Sequence, residues 1–335
     1  MKPSNIGGQA VMEGIMMRHG DKYSIAVRKP DQEIEVKVED YKNTLGASAW
    51  TKWPILRGVV NFIDSMVVGT KCLMYSASFF EEEEEEEAPK LSEEEQNRLD
   101  EKNARQTKIL MYATVAFSVV LSIALFMMLP YFIASFLRHV TSSETVIALA
   151  EALVRILLFI GYMVLISKLK DIQRVFMYHG AEHKCINCIE NGHQLTVDNV
   201  MKSSRQHKRC GTSFLLLVVV ISVIFFLFIR VPQPWLRIVV RLLLVPVIAG
   251  ISYEFIRLAG RSENKIVEFI SRPGLALQKL TTREPEPDMV EVAIKSVEAV
   301  FDWRAYLERE FGVPTEGASA AEGGTMQSAA EETPA

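Results

Sequence analysis

The sequence predicts a mainly α membrane protein: about four transmembrane helices, a small N-terminal β-hairpin element and helical extensions on the cytoplasmic side. Three observations carry this. Residues 109–137, 146–169, 213–230 and 235–258 are almost wholly apolar, and each comes near or exceeds the about 20 residues that cross roughly 30 Å of hydrocarbon. Charge is segregated: Glu81–Glu87 is an unbroken acidic run, without which the formal net charge of −4 would be +3. Four cysteines in 335 residues are too few for a disulfide-stapled secreted domain. A simple soluble enzyme and a collagen-like fibre are excluded on the same grounds. The partner that the composition demands is a lipid bilayer, and nothing in it points to nucleic acid.

Residues 1–53 read as a cytoplasmic glycine-rich and β-hairpin region. The first twenty residues hold Glu13 and no apolar run of signal-peptide length. Tyr23–Val27 and Ile34–Val38 are β-rich runs around the turn signal Lys29-Pro30-Asp31, and Glu33 to Val38 alternates with period two. Residues 54–80 form an amphipathic helix, with Leu56, Val59, Val60, Ile63, Met66 and Val67 at helical spacing and Arg57, Asp64 and Lys71 opposite. Spanning would place Asp64 at the bilayer centre, which is costly; an interfacial or packing helix satisfies both faces. Residues 81–108, rich in acid and poor in apolar side chains, read as a disordered linker.

Residues 109–169 hold the first two spans. Ile109–Leu129 is closed by Pro130, with apolar character running on to Leu137, and Val146–Leu169 follows. Residues 170–211 are a cytoplasmic His/Cys loop. Residues 212–258 hold the other two spans, Thr212–Ile229 and Trp235–Leu258, joined by the short Val231-Pro232-Gln233-Pro234 link. Residues 259–313 form a cytoplasmic C-terminal region, with Arg272-Pro273-Gly274 read as loop and a helix after Pro287; residues 314–335 read as a disordered tail. Eight Lys and Arg lie between Lys168 and Arg209, against Arg138 alone between spans one and two. The positive-inside rule then puts the long middle loop and both termini in the cytoplasm of a bacterium, with the spans in its inner membrane.

The middle loop carries the chemistry. Ile172, Val175, Phe176, His179, His183 and Ile186 continue the second span's spacing up to the stop at Asn191-Gly192. His179 and His183 therefore share the inward stripe of a helix that runs on from the membrane. Two inward imidazoles one turn apart need partners, and a divalent metal is one solution. His179-Gly180-Ala181-Glu182-His183 has the H-x-x-E-H order in which the histidines are ligands and the glutamate is the base for an attacking water. His207 or Cys210, just before the third span, would supply the third ligand, with Glu13 and Cys188 as additional candidates. Cys185, Glu190 and His193 are held in reserve. The C-x-x-C of Cys185 and Cys188 has no partner motif and is weak as a zinc ribbon. Zinc suits histidine and thiolate ligands, while iron and manganese stay open.

Four stretches resemble a known family. Gly7–Gly14 (GGQAVMEG), Tyr178–Lys184 (YHGAEHK), His207–Phe214 (HKRCGTSF) and Arg272–Pro285 (RPGLALQKLTTREP) are similar to the bacterial membrane-protein family typified by YqhQ of Bacillus, along nearly the whole chain. That family is described as a domain of unknown function and as a predicted metal-dependent enzyme. The resemblance implies the same of this chain, and it places Glu13, His179, Glu182, His183, His207 and Cys210 in the characteristic motifs. Cys185 stands where the family has threonine. The acidic run and the tail after Pro314 read as additions of this chain.

The reading that follows is a cytoplasmic-side metal site with Glu182 as catalytic base or as an additional carboxylate ligand. If it is an enzyme, the class is metal-dependent hydrolysis of a lipid-linked or membrane-protein substrate. The alternatives are a non-enzymatic membrane scaffold or assembly factor, and a small transporter. The transporter would use Glu151 and Arg155, at i and i+4 in the second span, with Arg241 of the fourth. The plainer account of these charges pairs Glu151 with Arg155 and lets Arg237 and Arg241 snorkel to the headgroups.

Overall fold

A computed structural model describes residues 2–43, 46, 51, 53–80, 93–229, 231, 233–262 and 264–314. The acidic run Glu81–Glu87 and the tail from residue 315 lie outside the described residues. The chain divides into two compact units, one of Met1–Phe80, Ile166–Val218 and Leu244–Ala335, the other of Glu81–Leu165 and Val219–Leu243.

In the first unit, β1 (Gly7–Val11), β2 (Gly14–His19), β3 (Lys22–Arg28) and β4 (Ile34–Asp40) form an antiparallel meander in that order. The expected hairpin is β3–β4. The glycine-rich opening is a second hairpin, β1–β2, which no period-two pattern announced because glycine contributes nothing to such a pattern. Glu13 takes φ 49° in its turn, and a Cβ on Gly14 would stand 2.3 Å from the Ala26 carbonyl oxygen. The sheet is covered on both faces. Met16, Tyr23, Ile25 and Val27 pack with Val68 and Cys72, while Ile15, Met17 and Ala26 join the larger core on the other side. That is why the two central strands read as continuous apolar runs.

Val68 and Cys72 belong to α1 (Leu56–Ala77), whose buried stripe is Gly58, Val60, Asp64, Val68, Gly69, Cys72 and Ser76. This stripe packs it on the sheet. Tyr41 donates from its hydroxyl to the fully buried Asp64 at 2.7 Å. Gly69 lies against Gln9, and Gly58 lies against Tyr253.

The spans begin with α2 (Glu93–Ile123), so the segment expected as linker is helical from Glu93. A π turn (Ala124–Met128), α3 (Leu129–Ser135) and a 3-10 turn (Phe136–His139) extend it. Pro130 therefore does not close the first span, which runs as one apolar stretch, Tyr112–His139. Proline removes the N–H that the carbonyl four residues earlier would receive; that carbonyl is Phe126 O, and Arg155 Nε donates to it at 3.1 Å. Arg155 lies in α4 (Glu144–Ile166), the second span.

The second span also departs from expectation. It breaks at Ser167–Leu169 before α5 (Lys170–Glu190) begins. Gln173 Nε2 donates to the Ser167 and Lys168 carbonyls at 3.3 and 3.2 Å, and Arg283 donates to Ser167 O at 3.1 Å. Side chains thus take over carbonyls that a continuous helix would have bonded. After α5, which ends at Asn191-Gly192 as predicted, come α6 (Val197–Lys202), α7 (Gly211–Phe228) and α8 (Pro234–Ala259). α7 and α8 supply the third and fourth apolar stretches of spanning length. The chain is a membrane protein on this composition.

The last three helices belong to the first unit: α9 (Lys265–Thr281), α10 (Pro287–Glu298) and α11 (Trp303–Phe311). Residues 272–274, expected as loop, lie within α9 with Pro273 internal. Tertiary contacts outweigh the proline here: a Cβ on Gly274 would stand 2.8 Å from Ser213 Oγ, and Gln206 Nε2 donates to Leu275 O at 2.6 Å.

Candidate metal centre

From Tyr178 onward every residue of α5 except His179 is buried, so its polar side chains must find partners inside the protein. They find the carbonyls of one loop. Lys184 Nζ donates to Met201 O and Ser203 O at 2.7 and 3.0 Å, and Asn187 Nδ2 to Ser204 O and Gln206 O at 2.6 and 2.9 Å. His183 Nδ1 meets Arg205 O at 2.6 Å. The loop is thereby laid along the helix, and its continuation carries His207, Arg209 and Cys210 to the start of α7.

This brings His179, His183 and Cys210 together, with one ligand atom from each lying within 4.8 Å of the others. The imidazole centroids are 4.4 Å apart. His179 Nδ1 lies 2.9 Å from Thr281 O. Each histidine thus faces a backbone carbonyl with Nδ1, which requires the hydrogen on that nitrogen and leaves the lone pair on Nε2. The Cys210 thiol lies 3.3 Å from His179 Nε2, and Thr212 donates its N–H to the same sulfur at 3.4 Å. Two imidazoles with their second nitrogens fixed by carbonyls, beside one sulfur, are a donor set that fits a borderline divalent ion.

Glu182 lies next to this triad, with Oε2 3.9 Å from His179 Nε2. Burial raises the pKa of its carboxyl group above the ordinary range, against the pull of His179 and of a hydrogen bond from the Gly8 N–H. Gly8 is needed there: a Cβ on it would stand 2.8 Å from Glu182 Cγ and equally close to Met16 O. The first glycine-rich motif thus reaches the site through Gly8. Glu13 itself goes elsewhere, pairing through both carboxylate oxygens with Arg174 and accepting from the Tyr178 hydroxyl at 3.3 Å.

His207 is brought near but not into the triad. Its backbone is clamped by Gln278, which accepts from His207 N and donates to His207 O, both at 2.8 Å. Its Nε2 lies 3.5 Å from Glu190, and burial lowers the imidazole's pKa. Glu190 also accepts from Ser4 N and Oγ and from Arg209. Burial alone would raise this carboxyl, but the adjoining His207 imidazole, the Arg209 charge and the Ser4 N–H together hold it below the usual range. Cys188 points at the His193 and Gln194 carbonyls, and burial raises its thiol pKa to about 11. Cys185 is fully buried and its thiol is pushed up likewise. The two cysteines belong to the core.

Several contributors carry no chemistry of their own and went unread in the sequence. Thr281 and Arg205 meet the histidines through their carbonyls, Gln278 acts through its amide, and Gly180 through the side chain it lacks. A Cβ on Gly180 would stand 2.0 Å from Arg283 O; without it, the strip after α9 docks on α5 through the Arg283 N–H to Phe176 O bond of 2.8 Å. For Thr281, Gln278 and Gly180 the available signal was membership in the four motifs; Arg205 lies outside them.

Comparison with known proteins shows the family. Residues 53–303 match the family described as "Protein of unknown function (DUF1385)". Over 312 residues the chain is 35% identical to the "Uncharacterized protein YqhQ" of Bacillus subtilis (strain 168), covering 92% of this chain and 95% of that protein. No solved structure matches.

Proposed function

We propose, from the premise that the chain belongs to the protein family of unknown function DUF1385, that it is a membrane hydrolase built around a divalent metal held by His179, His183 and Cys210. The observation that carries this is the shared orientation of the two imidazoles, each with Nδ1 on a backbone carbonyl and Nε2 left for a ligand. A divalent ion there supplies Lewis-acid chemistry. Glu182 takes the proton of the attacking water and returns it to the leaving group. Zinc suits two nitrogens and a sulfur; iron and manganese are the other outcomes of metal analysis. The density of Lys and Arg between Lys168 and Arg209 supports a site on the cytoplasmic side of a bacterial inner membrane, with both termini on that side. A site joined directly to spanning helices favours a lipid-linked or membrane-protein substrate.

The test is elemental analysis of detergent-purified protein beside a folded His179→Ala/His183→Ala variant. Stoichiometric zinc, iron or manganese that disappears in the variant supports the centre; no metal in either, after reconstitution with each ion, ends the proposal. One observation favours a second reading. His183 and Cys210 are only 1% and 5% exposed, and closed metal sites are more often structural, which would suit a scaffold or assembly factor. Glu182→Gln separates the two, because a hydrolase keeps its metal and loses function, whereas a scaffold keeps both.

A further inference from the structure

The second unit holds a polar cluster that the metal centre does not use. Glu151 of α4 accepts from Arg155 NH2 at 2.7 Å and from Arg241 NH2 at 3.0 Å, and Arg241 NH1 reaches its other oxygen at 2.6 Å. All three are at least nine-tenths buried. Arg241 therefore does not snorkel but turns inward to the carboxylate. Two guanidinium groups share one carboxylate, which leaves a net positive charge among apolar helices, a costly state unless an anion completes it.

The excess charge is placed at a cleft. Arg241 lines it together with Arg237, Tyr131, Met127, Met128 and Ile238, and the cleft is partly open. Tyr131 has Arg237 4.9 Å and Arg241 5.8 Å from its ring centroid, an arrangement that keeps two cations side by side. Among the described residues, Arg237 hydrogen-bonds through its Nε alone, to Val231 O at 2.8 Å. At 1.5 Å of rise per residue, Arg237 lies about 5 Å and Arg241 about 10 Å from the Pro234 end of α8, and Glu151 about 10 Å from the Glu144 end of α4. The exposed Trp235 beside them is the residue type that marks the headgroup level. The arginines thus descend from the membrane boundary inward.

We propose that the mouth of this cleft binds a phosphate oxyanion, gripped by the Arg237 fork and held by the charge of Arg241 below it, whose own fork is taken by Glu151. Guanidinium forks match phosphate oxygens in geometry and charge, and the headgroup level is where a phospholipid presents them. Free inorganic phosphate has the same chemistry and is the other source.

The experiment uses the full chain. Native mass spectrometry after mixed reconstitution compares retention of phosphatidylglycerol with phosphatidylcholine. Thermal unfolding in detergent compares inorganic phosphate with chloride at equal ionic strength. Selective retention of phosphatidylglycerol identifies the lipid headgroup, and protection by phosphate alone identifies the free anion; either supports the site. Arg237→Gln, at a half-buried position, should weaken the observed binding about tenfold. Arg241→Gln should do the same while leaving Glu151 and Arg155 as a neutral pair, so the protein still folds. Arg138→Gln, at an exposed arginine paired with Glu144, should leave binding unchanged. Neither selective retention nor phosphate protection in the wild type overturns the proposal. So does binding that survives both cleft substitutions, or that falls equally with Arg138→Gln.

Discussion

Cys210 and His207 are three residues apart in one motif, but their surroundings differ. The segment turns into α7 at Gly211, so Cys210 swings toward His179 while the Gln278 clamp holds His207 over Glu190. Cys210→Ser should lower metal affinity by more than the about 10–100-fold that an outer group costs. His207→Gln should retain metal at near wild-type stoichiometry. Elemental analysis of the two variants checks both, and metal lost from the His207 variant alone would reassign the third ligand. Gly180→Ala is predicted to destabilise the fold by at least about 1–3 kcal/mol, since the new methyl meets a backbone oxygen that cannot rotate away; thermal unfolding measures it. At this scale the H-x-x-E-H order could be read from the chain, because its spacing alone puts both imidazoles on one helical face. The choice between His207 and Cys210 could not, because it depends on a turn angle and on an amide seventy-one residues away.

At the scale of elements, β4 is an exposed edge strand tied down by charge. Its Glu39 receives hydrogen bonds from Lys37 on the same strand, Lys71 of α1 and Tyr23 of β3, which lower its pKa from 4.5 to about 2. A carboxyl group depressed in the folded state stabilises above its unfolded pKa and loses that contribution as pH falls through the folded one. The sheet–α1 contact should therefore weaken between about pH 4.5 and 2, and Glu39→Gln should flatten that part of the stability–pH curve. The spans make a second element-scale prediction. Glu151→Gln leaves Arg155 and Arg241 buried without their carboxylate and should cost about 3–5 kcal/mol, more than Arg241→Gln, when both are compared by thermal unfolding in one detergent. The helices themselves were legible from hydropathy. Their irregularities were not: Pro130 and Pro273 read as stops, yet Arg155 supplies a donor to the carbonyl that Pro130 leaves, and packing on Ser213 keeps the second proline inside α9.

For the molecule as a whole, the asymmetry of Lys and Arg predicts which loops face the cytoplasm. All four native cysteines are buried, so an introduced exposed cysteine reports on its own position. In intact cells Ser142→Cys should react with an impermeant maleimide, and Gln194→Cys only after permeabilisation. The reverse pattern would invert the proposed orientation.

What the sequence by itself determined was whatever depends on local periodicity and composition: four apolar stretches of spanning length, the β3–β4 hairpin, the amphipathic helix at 54–80 and the histidine pair. These follow from hydrophobic burial and from backbone repeats of 2 and 3.6 residues, which every short segment displays. Only the tertiary structure decided which distant groups complete each buried charge or imidazole. A buried polar atom must be satisfied, but its partner can come from any part of the chain. Thr281 answers His179, Gly8 makes way for Glu182, and Arg241 turns inward to Glu151.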